Sequence, residues 1–364
     1  MKICYVGDAG SIHMQRWVKY FADKGHKVCL ISPRPYAGEV PKNIELHVLK
    51  LISGVRFINN LLCVIQIRRI INRTKPDILH AHHVTSSGFW SALCGFHPYV
   101  LTAWGSDIVI QPKKSKLVRR KAVFALKKAE IITCDADHMV DRMEELGASR
   151  GKIKVIYFGV DTKKFSGKQS DPALRTKLKI PLDSPIVISL RSLTPLYDLE
   201  TLVKAAPEVL KKIPTARIVI VGDGEQRSYL EDLAASLGVE GGIIFTGAIT
   251  AAEMPQYLAT ADVYVSTSLS DAGLAASTAE AMASELPVVI TDFGDNNLWV
   301  QEDKGGFLVP LKSPDKLAEK IICLLKDKDI RIKFGKFNRR VINEKNDYYN
   351  EMEKVENFYQ TLII

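Results

Sequence analysis

The chain has 364 residues, 46% of them hydrophobic and 25% charged, with a net charge of +9. That length suits two domains rather than one core, and the balance is that of a globular protein. No apolar run approaches the ~20 residues that span a bilayer; MKICYVGD reads as a strand rather than a signal peptide; and six scattered cysteines without a CxxC pair predict reduced thiols in a cytoplasmic protein.

Taken in chain order, short β-branched runs alternate with longer amphipathic segments. Residues 2–7 form a strand and 11–24 a helix with Trp17, Val18 and Phe21 inward. Strands follow near 27–31, 44–48, 77–81, 99–103, 130–134 and 153–156, with helices over 57–74, 85–95, 116–128 and 136–146. Such alternation predicts a parallel sheet covered on both faces. Residues 159–184 lack periodicity and read as a connection. The pattern then restarts, with strands at 185–190, 217–221, 243–246, 262–266 and 287–290 and helices at 198–212, 224–237, 252–260, 276–284 and 314–326. A Tyr- and Asn-rich tail from about 345 to 361 reads as a further helix. The expected division is 1–165, 166–345 and a C-terminal helix, 346–364, packing back on the first domain. The class is α/β: two facing Rossmann-like domains with parallel sheets, a ligand on each wall beyond the carboxyl ends of the strands.

Charge differs between the halves. Lys and Arg number 27 against 13 Asp and Glu in residues 1–165, and 23 against 28 in 166–364. A basic first half suits an anionic partner such as a membrane surface, a lipid phosphate or an acidic glycan, and equally a plain solvated surface.

The most specific stretch is 262–292, ADVYVSTSLSDAGLAASTAEAMASELPVVITD. A buried strand ends at Ser266, and a loop of small residues (Ala272, Gly273, Ala275, Ala276) leads into a helix bearing Glu280. Small residues let backbone amides approach a phosphate, and a helix N-terminus favours negative charge. Glu280 is placed to accept from the vicinal hydroxyls of a ribose. A junction built only for packing has the same composition, and the loop alone does not choose.

The stretch resembles the signature of glycosyltransferase family four. Ala272-Gly273-Leu274-Ala275 stands where the family has E-G-F-G, and Glu280-Ala281-Met282-Ala283 and Pro287-Val288-Val289 match its E-A-M-A and P-V-V. The resemblance extends upstream through Val221-Gly222-Asp223-Gly224, Phe245-Thr246-Gly247, Met254-Pro255, Tyr257-Leu258 and Ala261-Asp262-Val263. It is looser in the first half, at the glycine loop after the first strand, Lys24-Gly25-His26-Lys27-Val28 and Phe158-Gly159-Val160-Asp161. The fold it implies is GT-B. It also implies that Glu280 binds the donor ribose, that Gly222 and Gly224 let the nucleotide approach, that Ala248 and Ile249 lie near the base, and that Arg191 holds the donor diphosphate with its planar fork.

The departures are specific. The family lysine after that arginine is missing, and Tyr197 occupies its region. The first glutamate of the signature is Ala272, with Asp271 adjacent as a candidate for the donor sugar hydroxyls. Trp104 stands where relatives carry a histidine; its ring can stack on a sugar but cannot take a proton. Asp107 is a candidate for acceptor or sugar contact and equally for a cap. Gly10 and Ser11, in a loop lacking full G-x-G-x-x-G spacing, suit donor phosphates and acceptor through backbone amides, with Ser11 also a plain N-cap candidate.

His80-Ala81-His82-His83 looks metal-like without an acidic or cysteine partner, so His82 is assigned to the acceptor cleft instead. Asp135-Ala136-Asp137 matches a D-x-D metal motif but falls between strand and helix, where carboxylates cap. No cofactor and no catalytic metal are expected. Pro112–Lys128 carries eight Lys and Arg among Leu117, Val118, Val123, Phe124 and Leu126, the composition of a basic amphipathic helix at the inner face of an anionic membrane; an ordinary helix packing its apolar stripe on the sheet explains the apolar residues equally but not the charge density, and no aromatic platform suits nucleic acid.

The resemblance implies a retaining transfer from a nucleotide-diphosphate sugar to a glycan, lipid-linked or other glycoconjugate acceptor, of the kind that builds cell-surface polysaccharide or lipopolysaccharide. With no protein nucleophile in evidence, attack comes from the front face, and the leaving diphosphate takes the acceptor proton. A nucleotide-sugar epimerase and a catalytically silent nucleotide-sugar binder are the rival readings.

Overall fold

The computed structural model describes residues 1–52, 56–167, 172–270 and 273–363. It consists of two compact units, Met1–Phe158 with Asn350–Ile364, and Gly159–Tyr349.

The first unit holds seven parallel strands: β1 (Lys2–Val6), β2 (Lys27–Ser32), β3 (Ile44–Val48), β4 (Ile78–His82), β5 (Tyr99–Thr102), β6 (Ile131–Cys134) and β7 (Ile153–Val155). Their order is β3-β2-β1-β4-β5-β6-β7. Every residue of β4, β5 and β6 is buried, as helices on both faces of a parallel sheet require. The C-terminal helix Tyr348–Ile363 belongs largely to this unit. Its Tyr359 hydroxyl lies 3.1 Å from the Tyr5 hydroxyl and shares a hydrogen bond with His80 Nδ1. Its buried Glu351 accepts the Tyr157 amide at 2.9 Å.

The second unit holds six parallel strands: β8 (Ile186–Leu190), β9 (Arg217–Val221), β10 (Ile243–Gly247), β11 (Val263–Ser266), β12 (Val288–Thr291) and β13 (Gly306–Val309), in the order β10-β9-β8-β11-β12-β13. Both sheets thus carry the doubly wound order in which the first and fourth strands lie side by side and the chain reverses direction between them.

The elements differ from expectation at several places. The predicted helix 85–95 divides into a wide π-turn, Val84–Gly88, and a short helix, Phe89–Cys94. A Cβ on Gly88 would sit 2.6 Å from Leu101 Cδ1, so the turn lies close on β5. A short helix, Pro172–Lys177, interrupts the predicted connection. Strand β13 and the eighteen-residue helix Lys328–Lys345 lie where no element was predicted. That helix is strongly charged and carries Gly335 mid-way, which weakens its periodicity. Gly335 is needed there, because a Cβ would stand 1.9 Å from the Glu285 carbonyl oxygen.

Candidate active site

In the second unit the reversal falls between β8 and β11. Arg191 follows β8 and Ser266 ends β11, so adjacent strands bring together residues 75 positions apart. Arg191 Nε and Nη2 both donate to Ser266 Oγ, at 3.1 and 3.0 Å. The guanidinium carbon lies 4.9 Å from the centre of the Tyr197 ring. Tyr197 closes the short turn Pro195–Tyr197. Its carbonyl accepts from Thr267 Oγ1 at 2.9 Å, and the Leu196 carbonyl accepts the Leu269 amide at 2.9 Å. The loop after β8 is thereby laced to the loop after β11, and Arg191 is oriented by a hydroxyl on one side and an aromatic face on the other.

Gly222 and Gly224 stand in the loop after β9. A Cβ on Gly222, whose φ is +139°, would fall 2.1 Å from the Arg191 carbonyl oxygen, and one on Gly224 would fall 2.4 Å from that of Leu193. The Arg191 amide donates to Val221, Leu193 to Asp223 and Gln226 back to Leu193. Close approach of one backbone to another requires glycine at both positions. Ala248 is exposed and Ile249 half-buried, both in the loop after edge strand β10.

Asp271 and Ala272 lie outside the described residues. Gly273, Leu274 and Ala275 are half-buried and lead into the helix Ala276–Ala283. Its N-cap is Ala275, in extended conformation, whose methyl group offers the first-turn amides no acceptor. Ser277 Oγ lies 2.9 Å from the Tyr264 hydroxyl, tying this end to β11. Glu280 is half-buried, one turn in. At the far end Arg339, from the helix Lys328–Lys345, donates to the Ala283 carbonyl, to Phe165 at 2.8 Å and to Thr162 at 3.1 Å. This clamp fixes the helix that carries Glu280, and the sequence reading did not include it.

In the first unit the reversal falls between β1 and β4. The loop after β1 holds Gly10 and Ser11, but Asp8 already engages their amides: its Oδ1 accepts from Gly10 at 3.0 Å and its carbonyl from Ser11 at 3.0 Å. Ser11 is the N-cap residue of the helix Ile12–Asp23 by position, without a side-chain cap bond. An anion site on these two amides is therefore not preformed.

His82, assigned to the acceptor cleft, is instead 3% exposed. Its ring lies 5.6 Å from Trp104 and 4.9 Å from Trp17, and neither ring nitrogen has a hydrogen-bond partner in the structure. Burial, and then the neighbouring His13, push it down to about 3. What the unit presents is a half-buried group of rings. His13 lies 4.4 Å from Trp104 and 4.8 Å from Phe158, over which Arg16 stands at 3.9 Å. His13, Arg16 and Phe158 carried no assigned role in the sequence reading; His13 is the second residue of the first helix, and only the fold brings it to Trp104.

Asp107 is also corrected. It is fully buried, with Oδ2 accepting the Val84 amide at 2.7 Å and Oδ1 the Trp104 amide at 3.0 Å. Both oxygens are used to start the π-turn and to hold the Trp104 backbone, so Asp107 positions Trp104 rather than contacting a sugar. In the D-x-D segment, Asp137 precedes the helix His138–Glu145 without a cap bond and accepts from the Tyr157 hydroxyl at 2.6 Å. Asp135 is pushed up to about 6, first by burial, with Asp107 adding to it. Among the described residues no group of three or more His, Cys, Asp or Glu is arranged to hold a metal ion.

Comparison with known proteins agrees with this architecture. The family described as glycosyl transferases group 1 matches residues 170–341, and that described as glycosyl transferase 4-like matches residues 2–136. A GDP-mannose-dependent alpha-(1-6)-phosphatidylinositol monomannoside mannosyltransferase of Mycobacterium tuberculosis is 29% identical over 219 residues, 58% of this chain and 56% of that protein. The chain thus spans just over half the length of this curated relative. Among solved structures, Anabaena Alr3699/HepE in complex with UDP superposes with a TM-score of 0.80 at 19% identity over the whole of both chains. A glycosyltransferase from Rickettsia africae ESF-5 does so at 0.81 and 19%, over 100% of this chain and 98% of that one. Between them the two families span most of the chain, which belongs to the group 1, family-four-like glycosyltransferases and has the GT-B fold.

Proposed function

We propose that the protein transfers a sugar, with retention, from a nucleotide-diphosphate sugar to a glycan or lipid-linked acceptor at the inner face of an anionic membrane. One observation carries the reading: Arg191 is held at the strand-order reversal of the second sheet by Ser266 and Tyr197, on the same carboxyl edge as a helix N-terminus with no side-chain cap. A fixed guanidinium and a helix N-terminus are what a leaving diphosphate requires. Glu280 takes the ribose, the backbone at Gly273–Ala275 the phosphates, and Ala248 and Ile249 flank the base. Asp271 takes the donor sugar hydroxyls. Trp104, with His13 beside it, offers a ring face to a sugar. The acceptor proton leaves with the diphosphate, so no resident metal or cofactor takes part in the step. The donor nucleotide stays open, since the mycobacterial relative is named for GDP-mannose and the Anabaena structure contains UDP.

Titrating UDP-, GDP- and ADP-sugars without added metal into wild type and Glu280→Ala, alongside an assay for released sugar, tests this. Selective binding that the substitution weakens, with slow sugar release, is the expected outcome. Tyr197 in place of a second cation favours one alternative, a silent nucleotide-sugar binder, which would bind selectively and neither release nor transfer sugar. Binding of no donor would refute both.

A further inference from the structure

The helices Arg56–Thr74, Phe89–Cys94 and Lys116–Lys128 form one layer over the first sheet. They bury Cys63, Ile67 and Ile71, then Ala92, then Ala122, Ala125 and Leu126 in a shared core, and they touch in that order. Side-chain bonds join the first two: Trp90 Nε1 donates to Asn60 at 2.7 Å, and Arg68 Nη2 to the Leu93 carbonyl at 2.8 Å.

With one side of the helix Arg56–Thr74 turned to the sheet and another to its neighbour, Ile58, Leu61 and Ile65 are left pointing outward. They form a continuous stripe, because positions three and four apart share a helix face. The preceding loop extends it. Asn59 accepts the Ile52 amide at 2.8 Å and returns a bond to the Ile52 carbonyl at 2.7 Å, and Gln66 pairs in the same way with Lys50 at 2.9 and 3.0 Å. Thus strapped, the loop presents Leu51 and Ile52. The five aliphatic side chains are between 41% and 59% exposed. Across the layer, the helix Lys116–Lys128 turns Lys116, Leu117, Arg119, Arg120 and Lys127 outward.

Charge selects the occupant. Residues 46–129 contain 14 Lys and Arg but only two carboxylates, Asp77 and Asp107. Asp107 is buried, and Asp77 accepts the Lys2 amide at the amino ends of the central strands β1 and β4. A protein partner would meet an interface with aliphatics but no acidic group to pair with its own cations. A twofold pairing of this chain would set the same cations on both sides with no carboxylate to answer them. An anionic bilayer satisfies both parts, since aliphatics enter the acyl boundary while cations stay at the headgroups.

We propose that the strapped loop at Leu51–Ile52, the Ile58–Leu61–Ile65 stripe and the cationic ridge of Lys116–Lys128 form one bilayer-docking face. This rests on the membrane contact proposed above and gives it a defined surface, with aliphatic insertion as well as charge. The test is co-sedimentation of the full chain with vesicles of phosphatidylcholine alone and with roughly one third phosphatidylglycerol. Wild type should pellet only with the anionic vesicles, and ~0.5 M salt should weaken but not abolish the binding. Arg119→Gln with Arg120→Gln should lower partitioning on the order of 25-fold, at about fivefold per cation. Leu61→Glu with Ile65→Glu, at positions that need not pack, should lower it about tenfold or more while nucleotide-sugar binding in solution stays at the wild-type level. Wild type that ignores anionic vesicles, or an aliphatic pair whose loss changes nothing, would overturn the proposal. So would a wild-type dimer that the Leu61→Glu, Ile65→Glu variant splits, which would assign the face to a second copy. Vesicle binding by a chain that binds no donor would leave this face standing and refute the transferase reading instead.

Discussion

The two sheets share a strand order, yet the loops at their reversal points are furnished differently. In the second unit the reversal between β8 and β11 gathers a guanidinium, a hydroxyl and an aromatic face, with an uncapped helix on the same edge. In the first unit the reversal between β1 and β4 gathers His82, His13, Trp104 and Phe158, while Asp8 has already claimed the amides of the glycine loop. Topology creates the place for a ligand in both units. What the place accepts depends on which side chains close it, and the proposed function assigns an anion to one and the flat face of a sugar ring to the other.

That contrast can be tested from its strongest element downward. Arg191→Ala should reduce turnover about 10²–10³-fold with a smaller change in donor affinity, measured by initial rates of transfer or sugar release; unchanged turnover would remove the charge from the second site. Gly222→Ala should cost about 2 kcal/mol or more in denaturant unfolding, because its methyl meets the Arg191 carbonyl at 2.1 Å. If it lowers donor affinity without loss of stability, the nucleotide rather than the chain needs that glycine. Glu280→Ala should weaken donor binding roughly 10–100-fold, the worth of hydrogen bonds to a charged group, and leave turnover at saturating donor nearly intact. An equal fall in both would place Glu280 in the transition state instead.

The smallest effect belongs to the first unit. His82 falls from the ordinary value of 6.5 to about 3, because burial disfavours the charged ring. The unfolded chain therefore binds a proton that the folded chain refuses, and stability should fall as pH drops below about 6.5, by about 1.4 kcal/mol per pH unit for each such histidine. Buried His80 shifts the same way. Unfolding of His82→Gln at pH 7 and at pH 5.5 should show a shallower loss than wild type. Equal slopes would mean that His82 titrates normally and meets solvent, restoring it as a cleft residue.

Much of this was legible in the residues themselves. Alternating apolar runs predicted two parallel sheets, because strands buried on both faces must be apolar throughout. The small-residue loop before Glu280, and Arg191 just past a strand, marked the proposed donor wall through chemistry that is local in sequence. The helix Lys328–Lys345 was missed because Gly335 and its many charges blur the apolar period, and the reason for that glycine, the Glu285 carbonyl, lies 50 residues away.

Sequence by itself therefore determined the class of fold and the residue types proposed to hold a diphosphate. Tertiary structure alone decided that Asp107 serves the Val84 and Trp104 amides, that His82 is sealed beneath Trp104, and that Gly222 accommodates Arg191. The physical reason is common to all three. Side-chain periodicity records which face of an element leaves water, whereas the partner of a carboxylate, the lid over an imidazole and the neighbour of a glycine are backbone groups from other segments, fixed only when those segments pack.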